Sequence, residues 1–336
     1  VHGALRIIGE RLLREQKQWY DIPDADVPAI CRQATDELAP QVQHDILMSN
    51  AYFAQIKERL IQTLTRTVRR LSAFSAVSDF HMEGLEKSFG RPGSPWEALR
   101  FTLKNGLQVV VTGQIDRIDT LRQGDHKYVV IIDYKSGRKQ LDISQIFTGL
   151  ELQLLTYMFV ALLNIGGDAI PAAVLYCYVR NDKVSLEYRV SEEDKKKLYD
   201  AKGKLTGFYL DDGQVMQQLD TSMQGFSDFL NLRLKKDGTL SDSSHTLYNE
   251  AGWSHLLDWA ARQIRDIAGH IGDGDISIHP ILMGQQAPCS YCPYRPVCRF
   301  DVAVAGNTYD AAGREDTDEM IQKMFDEGDD EHGLDE

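Results

Sequence analysis

The chain has 336 residues, 43% hydrophobic and 26% charged, enough for one large core or two ordinary domains. No apolar run approaches the roughly 20 residues of a membrane-spanning helix, and the opening residues mix His2, Arg6, Glu10 and Arg11 into an amphipathic pattern unlike a leader. The formal charge of −13 argues against a polyanionic partner only until it is mapped: residues 315–336 hold eleven Asp/Glu and one Lys, leaving the remainder near neutrality.

The first ~85 residues carry helical periodicity, with apolar positions at Leu5, Ile8, Leu12 and Leu13, and later at Ile46, Phe53, Ile56, Leu60, Leu64, Val68 and Leu71. The turn cluster GRPGSP at 90–95 closes this region. The period then becomes that of strands at 97–104, 107–119 and 127–134, joined by the hairpin-type turns KNG and RQGD. A helix at 144–164, strands at 172–180 and 183–190, and a helix opening at Ser191 come next. Helices at 214–234 and 247–269 follow, then a loop-rich stretch at 272–300. This order predicts an α/β fold whose mixed sheet is covered by helices, with the doubly apolar run VVIID as a central strand. The expected divisions are a helical lead (1–95), a core (96–190), a helical part (191–271), a cysteine segment (272–301) and an acidic, disordered tail (302–336). The chain has no initiator Met, so a fragment of a longer protein is expected.

Asp116 and Asp133 fall within or at the end of strand-favouring runs, and Lys135 follows two positions after Asp133. Two carboxylates on neighbouring strands repel unless a cation lies between them. Hard oxygen donors select Mg²⁺ or Mn²⁺, which keep sites for water and phosphate. Lys135 shares the face of Asp133 and can orient a metal-bound water during phosphodiester hydrolysis. On spacing alone, a plain ion pair at a strand end explains D-x-K equally well. Asp119, three residues from Asp116, points to the opposite face and reads as a structural partner of Arg117.

GQIDRID, VVIIDYKSG and GLELQLLTY resemble the successive G-x-x-D, D-x-K and Q-x-x-x-Y motifs of the RecB-type branch of the PD-(D/E)xK nuclease superfamily. The resemblance implies a restriction-endonuclease-like core, a mixed sheet flanked by helices, and Mg²⁺-dependent DNA cleavage. It implies Asp116 and Asp133 as metal ligands and Lys135 as the group that positions water. Gln153 and Tyr157, one helical turn apart, would orient Lys135 or the DNA backbone. His2 matches the family's histidine ligand on an N-terminal helix; the glycine four positions before it would precede Val1. Glu86 and Phe89 in EGLEKSF resemble the family's E-x-x-F and read as packing or DNA-contact positions.

Cys289, Cys292 and Cys298 form a C-x2-C-x5-C array. Three thiolates at this spacing suit one metal centre, zinc or iron–sulfur, and either needs a fourth ligand. The resemblance to AddB-type subunits of bacterial helicase–nucleases implies a [4Fe–4S] cluster whose fourth cysteine lies upstream of Val1. Such a cluster staples a long loop. His279 is a candidate for completing a Zn²⁺ site, whereas Cys31 and Cys177 read as core. The same resemblance implies a cytoplasmic DNA-repair enzyme that cleaves single-stranded DNA delivered by an AddA-like helicase–nuclease partner. Arg180, Lys183, Lys195, Lys196, Lys197, Lys202 and Lys204 are available to phosphates, although such a face is as readily only solvated. Two other classes remain open. A non-catalytic scaffold of nuclease ancestry should have lost an acidic ligand or the lysine, and a stand-alone iron–sulfur exonuclease has a shorter chain.

Overall fold

A computed structural model describes residues 1–42, 44–137, 141–179, 191, 203–241, 245–284, 287–312 and 316–329. The chain divides into two compact units, one of residues 1–98, 112–140 and 157–250, the other of 99–111, 141–156 and 251–336.

The first unit opens with helices α1 (His2–Arg14), α2 (Val27–Leu38) and α3 (Ala51–Ser75), with α2 packed against both others. Leu5, Ile8 and Leu12 are the buried stripe of α1. Pro28 occupies the first turn of α2, where its missing N–H costs nothing. Asn50 starts α3 by accepting from the Phe53 N–H at 3.1 Å.

Among the described residues the strands, in chain order, are β1 (His81–Phe89), β2 (Arg100–Thr102), β3 (Gln108–Val110), β4 (Gly113–Gln123), β5 (His126–Lys135), β6 (Ala169–Tyr178), β7 (Thr206–Leu210), β8 (Leu247–Tyr248), β9 (Ile281–Met283) and β10 (Asp310–Ala312). Six of them form the first unit's sheet in the order β1-β4-β5-β6-β7-β8. The β5–β6 and β7–β8 pairs are parallel and the others antiparallel. Strand β5 is central, and Val129, Val130, Ile131 and Ile132 are fully buried. A hairpin through Gly124, at φ 62°, joins β4 to β5 and so sets their register.

The second unit contains the β2–β3 hairpin and helix α4 (Ile143–Phe147). In the same unit, Trp259 stacks on Phe147 at 5.2 Å and donates its indole N–H to the Ile146 carbonyl at 3.3 Å. Among the described residues no helix is long and apolar enough to cross a membrane.

The sheet matches the expected mixed α/β architecture, and several elements differ in detail. Residues 81–89, read as the end of a helical lead, are strand β1, because pairing with β4 outweighs local periodicity. The helix expected over 144–164 is broken into α4 and α5 (Gln153–Ile165), with Gly149 at φ 74° between them. Beyond α6 (Gly213–Leu219), the helix expected to 234 gives way to turns. There the Asp220 carboxylate accepts from the Ser222 and Ser227 hydroxyls, competing with helical bonding. Helix α7 (Glu250–Gly272) corresponds to the one expected at 247–269. The expected strand at 183–190 lies outside the described residues, as does the helix after Ser191.

The acidic tail differs most. Residues Thr317–Asp329 form a helix instead of solvated coil. Its Met320 and Met324 are 2% and 0% exposed, and its Phe325 ring stacks on His255 at 4.7 Å. Asp318 and Glu319 in its first turn suit the positive end of the helix dipole.

Candidate active site

Three strands of the first unit bring three carboxylates into one row. Strand β1 pairs Leu85 with Arg117 and Lys87 with Ile115, which sets Glu86 opposite Asp116. Strand β4 pairs Arg117 with Ile132, so the next step sets Asp116 opposite Asp133. Strand β5 then pairs Asp133 with Tyr176 and Lys135 with Tyr178. Residues paired across strands share a face, so Glu86, Asp116 and Asp133 stand side by side.

Asp133 is 3% exposed, and its Oδ2 lies 2.7 Å from Lys135 Nζ. The contact is a close ion pair, and the carboxylate oxygen in it is fully buried. The ammonium also lies 5.4 Å from the centre of the Tyr176 ring. Asp116 Oδ2 accepts from the Tyr134 peptide N–H at 2.8 Å.

Burial raises the pKa of both aspartates. For Asp116, the Tyr134 N–H and the Lys135 charge oppose that rise. For Asp133, the neighbouring Lys135 ammonium opposes it and the Asp116 charge adds to it. Burial first, then repulsion from Asp116, pushes the Glu86 carboxyl up to about 7. Gln114 holds that carboxyl by donating from Nε2 at 2.5 Å, and the Glu86 backbone sits at φ 48°, a left-handed conformation rare within a strand. His2 opens α1, with its ring 6.1 Å from that of Tyr134. Burial lowers its pKa, which favours the neutral imidazole that ligates metals.

Tyr157 meets Phe89 edge-on at 6.0 Å, above Gly113. Gln153, one turn earlier on α5, belongs to the second unit. Asp119 faces away from the carboxylate row and pairs with Arg117, as its parity required. Glu86 is the member of the row that sequence reasoning left among packing or DNA-contact positions. Its signal was the G-x-x-D pairing partner, legible only once β1 is recognised as a strand.

Of the cysteines, Cys31 and Cys177 are core, Cys289 and Cys292 are half-buried and Cys298 is exposed. His279 Nδ1 lies 3.7 Å from Asp310 Oδ2. Among the described residues, no three or more His, Cys, Asp or Glu side chains gather closely enough to form a metal centre. The consequence differs for the two cofactors. A hard divalent cation needs only one or two protein carboxylates and fills its shell with water and phosphate, so the buried, neighbouring carboxylates of Asp116 and Asp133 fit it. A tetrahedral thiolate site needs four donors, which the three cysteines do not supply.

Residues 1–299 match the family described as the PD-(D/E)XK nuclease superfamily. The chain belongs to the PD-(D/E)XK nuclease superfamily. Its members generally use a divalent metal, in keeping with the acidic row. The chain is also similar to the AddB subunits of bacterial enzymes named ATP-dependent helicase/deoxyribonuclease. It is 32% identical to the one from Bacillus pumilus over 98% of this chain and 28% of the relative. It is 35% identical to the one from Moorella thermoacetica over 93% and 27%, and 33% identical to the one from Bacillus subtilis over 92% and 27%. The chain thus spans less than a third of the length of the curated relatives it matches. Within this PD-(D/E)XK domain, the matched span includes His2, the carboxylate row, Lys135, Gln153, Tyr157 and all three clustered cysteines.

Proposed function

We propose that this chain is the nuclease domain of an AddB-type subunit, hydrolysing phosphodiester bonds of single-stranded DNA during double-strand-break processing and recombinational repair. The observation that carries the reading is the buried Asp133 carboxylate within a row of acids, its Oδ2 2.7 Å from Lys135 Nζ. The relatives' names, which join an ATP-dependent helicase to a deoxyribonuclease, support a DNA substrate and an AddA-like helicase–nuclease partner.

Asp116 and Asp133 are the residues that would hold Mg²⁺ or Mn²⁺, with His2 as a further ligand. The cation, when bound, supplies Lewis acidity and lowers the pKa of a water molecule. Lys135 then orients the attacking water and offsets negative charge building on the phosphoryl oxygens. The Tyr134 peptide N–H keeps Asp116 turned into the site. Gln153 and Tyr157 take from the family resemblance the role of orienting Lys135 or the DNA backbone. Cys289, Cys292 and Cys298 are candidates for anchoring a [4Fe–4S] cluster, or zinc in its place. As three donors they do not close a four-ligand set, and no step of hydrolysis is assigned to them.

The test is digestion of single-stranded DNA with and without Mg²⁺ by the parent protein, Asp133→Ala and Lys135→Ala. Loss of Mg²⁺-dependent cleavage in both variants is expected, and full activity in both overturns the assignment. Iron and acid-labile sulfide analysis of the purified protein separates a cluster from zinc.

A further inference from the structure

Strand alternation places Arg117 and Asp119 on the face of the sheet away from Asp116, and Tyr134 away from Asp133 and Lys135. Arg117 gives Nε and Nη2 to the two oxygens of Asp119, each at 2.7 Å, and both residues are 1% exposed. The guanidinium lies over the Trp19 ring at 5.7 Å. Arg117 pairs with Ile132 across β4 and β5, which makes Tyr134 its diagonal neighbour. The third guanidinium nitrogen, Nη1, and the Tyr134 hydroxyl are both fully buried without an aligned hydrogen-bond partner.

Stability does not explain this group. A buried ion pair is often no better for stability than apolar residues of the same volume. The group's members are instead the chain neighbours of the carboxylates: Arg117 follows Asp116, and Tyr134 follows Asp133. The two-pronged bond to Asp119, with the Trp19 ring against the guanidinium, fixes the plane of that group, and with it the pleat of β4 beside β5. On the opposite face, that pleat sets how far apart Asp116 and Asp133 stand.

We propose that Arg117, Asp119 and Tyr134 are positioning residues that fix, from the rear of the sheet, the spacing at which Asp116 and Asp133 grip a divalent cation. This rests on the nuclease reading above, and its test separates the two. The full chain is compared with the double variant Arg117→Met/Asp119→Leu and with Tyr134→Phe. The measurements are melting temperature without cation, Mn²⁺ affinity by calorimetry, and kcat and KM for Mg²⁺-dependent cleavage of single-stranded DNA.

The expected result is a double variant that melts within about 4 °C of the parent. Its Mn²⁺ affinity and kcat should each fall about tenfold while KM for DNA stays unchanged. Tyr134→Phe, which removes a single hydroxyl, should move the same two quantities in the same direction by less. Unchanged Mn²⁺ affinity in a folded double variant overturns the proposal. If the double variant does not fold, unchanged Mn²⁺ affinity and kcat in Tyr134→Phe do so. A parent that binds Mn²⁺ through Asp133 yet cleaves no DNA ends the nuclease reading and leaves the affinity comparison standing.

Discussion

Gly113 and Tyr157 occupy space that only one side chain can fill: a Cβ at position 113 would lie 3.3 Å from Tyr157 Cε1 and 2.5 Å from Phe89 Cζ. The glycine of the G-x-x-D motif is thus a packing requirement, three residues before the carboxylate it accompanies. Gly113→Ala should destabilise the protein by about 1–3 kcal/mol through overpacking. Denaturant unfolding measures the loss, and a second change, Phe89→Leu, should recover part of it.

Glu86 predicts an unusual pH dependence of stability. Its carboxyl is raised to about 7 when folded, against an ordinary value near 4.5. Below the ordinary value it is neutral in both states and adds no penalty. Between about 4.5 and 7 the unfolded chain gives up this proton while the folded one keeps it, so stability falls across that window and levels off once the folded carboxyl ionises above 7. Glu86→Gln should therefore be more stable than the parent at pH 8 by ~1 kcal/mol, allowing for solvent screening at this half-buried site. The gain should vanish near pH 4, and thermal melts across that range check it.

The crowded carboxylates predict stabilisation by divalent cations. Mg²⁺ or Mn²⁺ at a hundredfold excess over its dissociation constant should stabilise the parent by about 2.7 kcal/mol. Asp133→Asn should remove most of that increment. An Asp133→Asn protein that gains as much from Mn²⁺ as the parent would place the cation elsewhere.

Met324 anchors the C-terminal helix in the second unit, with no exposed surface. Met324→Ala should weaken that helix by about 2–4 kcal/mol. Limited proteolysis should then cut within 317–329 faster than in the parent, while the rest of the chain stays resistant.

The sequence showed the mixed α/β architecture better than its individual elements, and it offered a compact set of candidate site residues. Asp116, Asp133 and Lys135 were legible because a charged residue embedded in β-favouring, apolar sequence needs a reason, and the motif spacing supplied one. The parity of Asp119 relative to Asp116 likewise predicted its rear-face pairing with Arg117. Strand β1 was not legible: EGLEKSF has no clear two-residue alternation, and its strand form comes from pairing with β4. Missing β1 also hid Glu86, whose position opposite Asp116 exists only in the sheet. The C-terminal helix was masked by composition, because its two buried methionines are outnumbered by the acids around them.

The tether on Asp116 is a main-chain amide, that of residue 134. Nineteen of the twenty amino acids carry the same group, so drift at this position can erase the phenol and leave the tether intact. Proline alone would sever it. That orienting contact is accordingly sheltered from most genetic change, whereas the carboxylate it serves is exposed to every missense codon.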